Sequence, residues 1–553
     1  MQKVVVKSQY VQVQGRRVYV RFAGSGPAIL LLHQSPQTSR TLLPWIARLA
    51  IKYAVFAPDT PGFGASDPLP MLQPTIPDFA AALASLIDAL GIEKVLVYGV
   101  HTGAVTGLRF ALDYPQRVAA LVCDGYARFS TTERQKLLDG YLPPFEPQWD
   151  GGHLLWLFAR FREQHLFFPW NTPTQAARMA YPPPTTARVH ADILDILDAG
   201  DGYRAGYRAP FLYDDASAAA RLTVPAAILY RAEDVLAPHF ERLSSLPAGV
   251  TAERFAGGAS VLIEKTDAVF AQYAAAASAV ASEAAVAHAQ SRSRRIIETE
   301  FGVLSVLLMQ PESQKADTVT HVYLNEIGTA AAIPVDAPYD TLRLAVELPG
   351  HGASRVFQGA LDDGFVAAVA HALEQLQAAH VCIHAQGSMA AFGCALAHRA
   401  NAQALNLTQA MVLDSTERQQ FLSLLPDLTP HSTGGHLLGA WNWVRMKFLF
   451  WPWLIQDANA ARFDAAPVPL RVHQEALEAV RCGEQFAALW QAALMLDAEK
   501  FARDLKCKIT IECPEEAQLL RLSRRFATAI NLQKSEHKHP SSEANTAWFS
   551  WRN

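Results

Sequence analysis

The chain is poor in the features that mark several functional classes. Its six cysteines, Cys123, Cys382, Cys394, Cys482, Cys507 and Cys513, never fall two residues apart, so the spacing of a zinc or redox motif is missing. Several lie in apolar strand-like runs, where a thiol acts as a small buried hydrophobe, and a reducing, cytoplasmic setting is expected. Basic residues are not in excess: Lys and Arg total 48 against 52 Asp and Glu, a formal net charge of −4. Nothing is left over to neutralise a phosphate backbone, so no nucleic-acid partner is expected. The most apolar short run, Phe448–Ile455, is far shorter than the roughly 20 residues that span a bilayer. The N-terminal stretch alternates polar and apolar residues and lacks a signal-peptide core, so no membrane partner is expected. There is no G-x-G-x-x-G after a strand, no G-x-x-x-x-G-K and no H-E-x-x-H, hence no nucleotide cofactor and no metal in the expected site.

Apolar residues, by contrast, make up 50% of the 553, and charged residues only 18%. That excludes a disordered chain. At roughly 100–200 residues per domain it also leaves room for two large ones.

The chain repeats itself. GGHLL at 151–155 recurs at 434–438, FFPW at 167–170 returns as FWPW at 450–453, and RVH at 188–190 recurs at 471–473, all 283 residues apart. TPGFGAS at 60–66 pairs with LPGHGAS at 348–354, and more loosely LVCD ending at Asp124 pairs with MVLD ending at Asp414. A tandem duplication follows, with domains at 1–280 and 298–553 that are expected to pack on each other. The Ala/Ser-rich stretch at 275–297 reads as a final helix running into a linker.

Within the first repeat, apolar runs at 18–23, 28–33, 53–59, 94–99, 119–124 and 226–231 alternate with amphipathic stretches such as 76–92. This predicts an α/β fold with a mostly parallel sheet and helices on both faces. Aromatic helical segments at 126–215 interrupt the rhythm and read as a helical cap, with its counterpart at about 416–498. Trp156, Phe158, Phe161, Phe167, Phe168 and Trp170 suit the wall of an apolar pocket, although most must serve as core.

In such sheets ligands bind beyond the carboxyl ends of the strands. VLVYGVHTGAVTGLRFAL is a strand, a Gly-flanked turn and a helix, and the turn reads Gly99-Val100-His101-Thr102-Gly103. It resembles the G-x-S-x-G nucleophile elbow of the α/β-hydrolase superfamily. The D-x-P-G-x-G-x-S segment from Asp59 to Ser66 and the LLLHQSP run match the same pattern upstream. The resemblance implies two tandem α/β-hydrolase-like domains and a hydrolase-like enzyme, active on an ester, thioester or C–C bond of a small, largely apolar substrate. It also implies an acid at Asp234 or, alternatively, at Asp124, and an oxyanion region around His33, Gln34 and Thr102.

The apex is His101 rather than Ser, Cys or Asp, and Phe255–Ser260, where the family's late His is expected, contains none. An ordinary Ser-His-Asp relay is therefore not expected in the first repeat. His101 stands at a helix N-terminus, which favours the neutral imidazole, so it is expected to serve as base or nucleophile, with Asp124 orienting it. A lyase, a cofactor-free oxygenase or a non-catalytic binding protein remain alternatives, and the apex histidine could be purely structural. In the second repeat either Gly387 or Ser388 stands at the apex, and Met389 or Gln386 would crowd the bend. Ser388 with His537 or His539, and Asp414 or Glu515 as acid, is the relay it could build. His153, His190, His436 and His473 recur between repeats, which points to packing.

Overall fold

The computed structural model describes residues 4–311, 317–355, 357, 361–450, 458, 460–462, 466–512 and 517–530. Two compact units emerge, Met1–Glu146 with Trp156–Ser291, and Pro147–Leu155 with Arg292–Asn553. His537, His539 and Glu515, and most of the second FWPW run, lie outside the described residues.

In the first unit the apolar runs become strands β1 (Lys7–Val13), β2 (Arg16–Ala23), β3 (Ser25–Leu32), β4 (Ala54–Pro58), β5 (Val95–Val100), β6 (Val118–Asp124), β7 (Ala226–Arg231) and β8 (Val250–Phe255). Their order is β1-β2-β4-β3-β5-β6-β7-β8, antiparallel only around β2, and a short β9 (Ala279–Ala281) pairs antiparallel with the start of β3. The helices are α1 (Leu43–Leu49), α2 (Ile76–Ala89), α3 (Thr102–Asp113), α4 (Thr131–Gly140), α5 (Gly152–Gln164, of which the residues up to Leu155 belong to the second unit), α6 (Thr186–Ala199), α7 (Tyr203–Leu212), α8 (Ala259–Tyr273) and α9 (Ser282–His288). Helices α4–α7 fill the interval between β6 and β7, where the helical insertion was expected.

Side chains alternate across the sheet, so each strand feeds two cores. Leu30, Leu32, Val97 and Leu121 pack with α2 and α3 through Phe79, Leu83, Val105 and Leu108. Leu31, Tyr98, Val122 and Leu229 pack with Trp45 and Ile46 of α1 and with Leu262 and Phe270 of α8. Helix α2 starts at a capping box, Thr75 with Asp78, which satisfies backbone donors that the helix cannot.

The second unit holds β10 (Arg294–Thr299), β11 (Gly302–Met309), β12 (Val319–Leu324), β13 (Leu342–Val346), β14 (Ala379–Gln386), β15 (Ala404–Thr408) and β16 (Lys508–Glu512). Their order, β10-β11-β13-β12-β14-β15-β16, repeats that of the first seven strands of the first unit. Its helices are α10 (Leu361–Gln375), α11 (Ala390–Arg399), α12 (Ser415–Ser423), α13 (Gly435–Leu449), α14 (Pro469–Cys482), α15 (Gln485–Met495), α16 (Ala498–Asp504) and α17 (Ala517–Ala529).

Local hydrogen bonding recurs as well. In the turn after β4, Asp59 accepts from Ala65 N–H, and Ser66 Oγ donates to the Asp59 carbonyl while accepting from Tyr19 N–H. After β13, Glu347, Ala353, Ser354 and Ser305 make the same three bonds. The capping box Ser130/Glu133, with Arg242 on Glu133, reappears as Asp414/Glu417 with Arg525. Asp414 is thus a helix cap and the counterpart of Ser130, not of Asp124. By strand register the counterpart of Asp124 is Thr408. The expectation that Asp414 could be a catalytic acid is corrected accordingly.

His153 and His436 each accept a backbone N–H through Nδ1, from Gln148 and His431. Within the second unit His153 Nε2, left with the proton, lies 3.2 Å from His473 Nδ1. Burial pushes both His153 and His436 down to about 4, so they stay neutral connectors.

One sheet face differs between the units. The cross-strand row Leu31–Tyr98–Val122–Ala227 is apolar and buried. Its second-unit counterpart is Tyr323–His384–Asn406–Thr510. Among the described residues no helix lies between β12 and β13, where α1 covers the first sheet.

The stretch at 275–297 is not an open linker. β9 pairs with β3, and Ala285, Val286 and Ala289 of the α9 segment join the first core while the other alanines stay at the surface or half-buried. The first unit therefore runs to Ser291 rather than 280. Backbone that is paired and buried resists nicking. Limited digestion with elastase, which cuts after small residues, should spare 279–289. Primary cleavage there would show that this strand and helix are not docked.

Candidate functional site

β5 runs straight into the elbow. His101 has φ 48° and ψ −106°, a conformation that costs a non-glycine residue on the order of 1–3 kcal/mol. The flanking glycines make it possible. A Cβ on Gly99 would sit 2.2 Å from Gly103 O, and one on Gly103 would sit 2.3 Å from Leu32 O. Gly125, just past β6, makes room for the ring: a Cβ there would lie 2.6 Å from His101 Cδ2.

The imidazole meets Asp234, on the turn after β7. Nε2 lies 3.1 Å from both carboxylate oxygens. Asp234 also accepts from Leu236 N–H at 2.9 Å and from Arg231 Nη2 at 2.9 Å, and is 5% exposed. A carboxylate with these donors stays ionised, so Nε2 carries the imidazole proton and Nδ1 keeps its lone pair. Nδ1 has no hydrogen-bond partner among the described residues, and the His101 side chain is 25% exposed.

Burial works against a charged His101, but the Asp234 charge and hydrogen bond outweigh it and raise its pKa above the usual value. The expectation that the helix N-terminus keeps the ring neutral is corrected: a carboxylate at 3.1 Å acts more strongly than a partial dipole charge. Asp234 is held below the usual carboxylate range, against its own burial, by His101 and Arg231.

Asp124 does not orient the ring directly. Its carbonyl accepts His101 N–H at 2.9 Å, but its carboxylate accepts from Tyr98 Oη at 2.9 Å and faces Arg231 Nε at 3.7 Å. Almost wholly buried, its pKa is raised. His33, at the end of β3, donates through Nδ1 to Gln34 O and accepts Thr60 N–H at Nε2. Both ring nitrogens are spent on joining two loops, and burial lowers the pKa, so His33 is a turn residue. The Gln34 side chain donates to Gln37. Thr102 Oγ1 accepts Ser35 N–H at 3.4 Å and ties this loop to the elbow.

Sequence reasoning missed Arg231, Tyr98 and Gly125; of these only Gly125, a glycine directly after a strand-end acid, offered a signal. The expected aromatic pocket is partly something else. The rings of Trp156, Phe161, Trp170 and Tyr203 surround the buried Arg160 at 5.0–6.0 Å.

The second unit is built differently. Gly387, with φ 54°, takes the place of His101, and a 3-10 turn, Gly387–Met389, precedes α11. Ser388 stands where Thr102 does and accepts Ile327 N–H at 3.1 Å. It is therefore not at the apex. A Cβ on Gly387 would lie 2.8 Å from Glu326 Oε1, and Lys447 Nζ pairs with Glu326 at 3.1 Å and with Glu475 at 3.4 Å.

Residues 27–254 match the family model described as alpha/beta hydrolase fold. The first unit carries the α/β-hydrolase fold. An uncharacterized hydrolase of Saccharomyces cerevisiae is 30% identical over 152 residues, 27% of this chain and 51% of that protein. A 2-hydroxy-6-oxo-6-phenylhexa-2,4-dienoate hydrolase of Burkholderia cepacia is 33% identical over 116 residues, 20% of this chain and 40% of that one. Epoxide hydrolase 3 of Siraitia grosvenorii is 32% identical over 114 residues, 20% and 36%. The chain thus spans about half or less of the curated relatives it matches. A Pseudomonas aeruginosa hydrolase structure aligns at 19% identity and TM-score 0.37, covering 49% of this chain and 98% of that one. The family model and the curated relatives agree on the α/β-hydrolase fold for this half of the chain. Among the described residues no group of three His, Cys, Asp or Glu side chains could hold a metal ion, and no helix is long and apolar enough to cross a membrane.

The opposed pKa shifts set a pH window. The raised His101 contributes stability fully below its unfolded value of 6.5, and that contribution is lost as pH rises through the folded value. The lowered Asp234 contributes above its unfolded value of 3.8 and loses it as pH falls. In urea titrations the stability gap between the native chain and Asp234→Asn should be widest between those two values and narrow on either side. A gap that is flat with pH would mean the pair is not ionised as described.

Proposed function

We propose that the first unit is a general-base enzyme of the hydrolase superfamily, acting on a small, largely apolar organic molecule. One observation carries this: His101 is held by Asp234 through Nε2 while Nδ1 is unengaged and the side chain partly exposed. Nδ1 takes a proton, Asp234 stabilises the resulting imidazolium, and the proton returns to the product. With no serine at the apex and no late histidine, water is the natural nucleophile. His101 Nδ1 would take one proton of the water as its oxygen bonds to an electrophilic carbon and that carbon's bond to the epoxide oxygen, or the carbonyl π bond, breaks; the resulting alkoxide receives the proton. The named relatives, epoxide hydrolases and a dienoate hydrolase, favour hydrolysis of an epoxide or an activated ketone. The same base could instead take its proton directly from the substrate, as in a lyase or oxygenase. Incorporation of ¹⁸O from labelled water separates the two.

The tandem duplication belongs to the same proposal. The repeated strand order, the matching turn bonds and the recurring capping box support it. The second unit is inert in this reading, because its apex is Gly387 and Glu326, tied to Lys447, occupies the space beside it.

With a panel of epoxides, esters and activated ketones, His101→Ala should lower kcat/KM by roughly 10²–10⁴, the range for losing a general base, while circular dichroism stays native. Asp234→Asn, which keeps the ring, should cost less. Ser388→Ala should stay within a few-fold of the native chain. Undiminished turnover in His101→Ala would sink the assignment, and a large loss in Ser388→Ala would move the site to the second unit.

A further inference from the structure

Beneath the His101–Asp234 pair, two buried carboxylates share one guanidinium. Arg231, the last residue of β7, donates from Nη2 to Asp234 Oδ2 at 2.9 Å. On its other side Nε faces Asp124 Oδ1 at 3.7 Å, and neither of those two atoms has a hydrogen-bond partner among the described residues. Asp124 Oδ2 is fixed by Tyr98 Oη, whose ring packs on Trp45 at 3.9 Å. Asp124 and Asp234 are 1% and 5% exposed, so the charges act with little screening. At 3.7 Å the Arg231–Asp124 contact falls short of a hydrogen bond by less than an ångström.

We propose that Arg231 is a positioning residue for His101: it takes up part of the Asp234 charge, and Asp124 with Tyr98 determines how much remains for the imidazole. The geometry sets the direction of each effect. Arg231 and His101 compete for the same carboxylate, so Arg231 weakens the hold of Asp234 on the protonated ring. Asp124 draws Arg231 away and adds its own negative charge close to His101, so it strengthens that hold. The directions by which Arg231 lowers and Asp124 raises the His101 pKa agree. The other charged or titratable groups here are His239, on the turn after Asp234 and fixed by Arg128 N–H, together with Tyr181 and Glu233. None of these hydrogen-bonds the His101 ring.

The relevance of this clamp to catalysis rests on His101 being the base, but the clamp itself can be read without turnover. The full chain would be labelled with ¹³Cε1-histidine, and the His101 signal identified by its loss in His101→Gln. Arg231→Met should raise the His101 titration midpoint and Asp124→Asn should lower it, each on the order of one unit. Arg231→Lys, which keeps the cation, should restore a midpoint near the native one. Opposed shifts are not expected from general loosening of the site. Shifts of the same sign, or no shift, would overturn the clamp. Should Arg231→Met fail to fold, Asp124→Asn decides: a midpoint that does not fall overturns the proposal. Opposed shifts in a protein whose turnover survives His101→Ala would leave the clamp standing and remove the base reading alone.

Discussion

No Cβ fits at Gly99 or Gly103, and the first unit's site depends on that. Because Gly99 approaches the Gly103 carbonyl so closely, α3 can begin immediately after β5. Because Gly103 lies against the Leu32 carbonyl, the elbow is anchored to the end of β3. Between these contacts His101 is held at a positive φ that its own side chain would not choose. The second unit lacks this constraint. Ala385 and Met389 stand at the flanking positions, a 3-10 turn intervenes before α11, and the residue at positive φ is glycine.

The electrostatics follow from where the strands end. β5, β6 and β7 are parallel neighbours, so Val100, Asp124 and Leu229 lie side by side in register. His101, Arg231 and Asp234 follow within a few residues of those ends, and four polar side chains meet where the sheet stops. Removing such charges from water is costly unless each is paired, and here each is. His101 and Arg231 share Asp234, and Arg231 in turn faces Asp124. The arrangement leaves one ring nitrogen outside the network.

Strand positions, strand-helix alternation and the sharp Gly99–Gly103 turn were legible in the sequence, because apolar runs and glycine spacing report directly on backbone geometry. Asp234 was offered only by the family resemblance. The choice between Asp234 and Asp124 was not, since it turns on which carboxylate lies within reach of a ring whose direction is set by Gly125. Arg231 was invisible for a related reason: its role comes from pairing across two strands, and nothing in its local sequence marks it. The Ala/Ser-rich stretch at 275–297 misled because alanine has low local specificity. The same composition serves an exposed linker or, as here, a strand and helix packed closely on a core. Asp414 misled because the MVLD run imitates a strand end, whereas the register ends β15 at Thr408.

Gly387 makes the apex of the second unit hard to alter by one substitution. A side chain there would have to accept a φ of 54° and enter space within 2.8 Å of Glu326 Oε1, while Lys447 keeps that carboxylate from swinging away. Removing Glu326 first would take from the half-buried Lys447 one of its carboxylate partners. Either single step passes through a less stable protein, so a nucleophile at this apex requires coordinated substitutions. The ion cluster thus acts as a latch on this apex, since each route to a side chain there begins with a loss of stability.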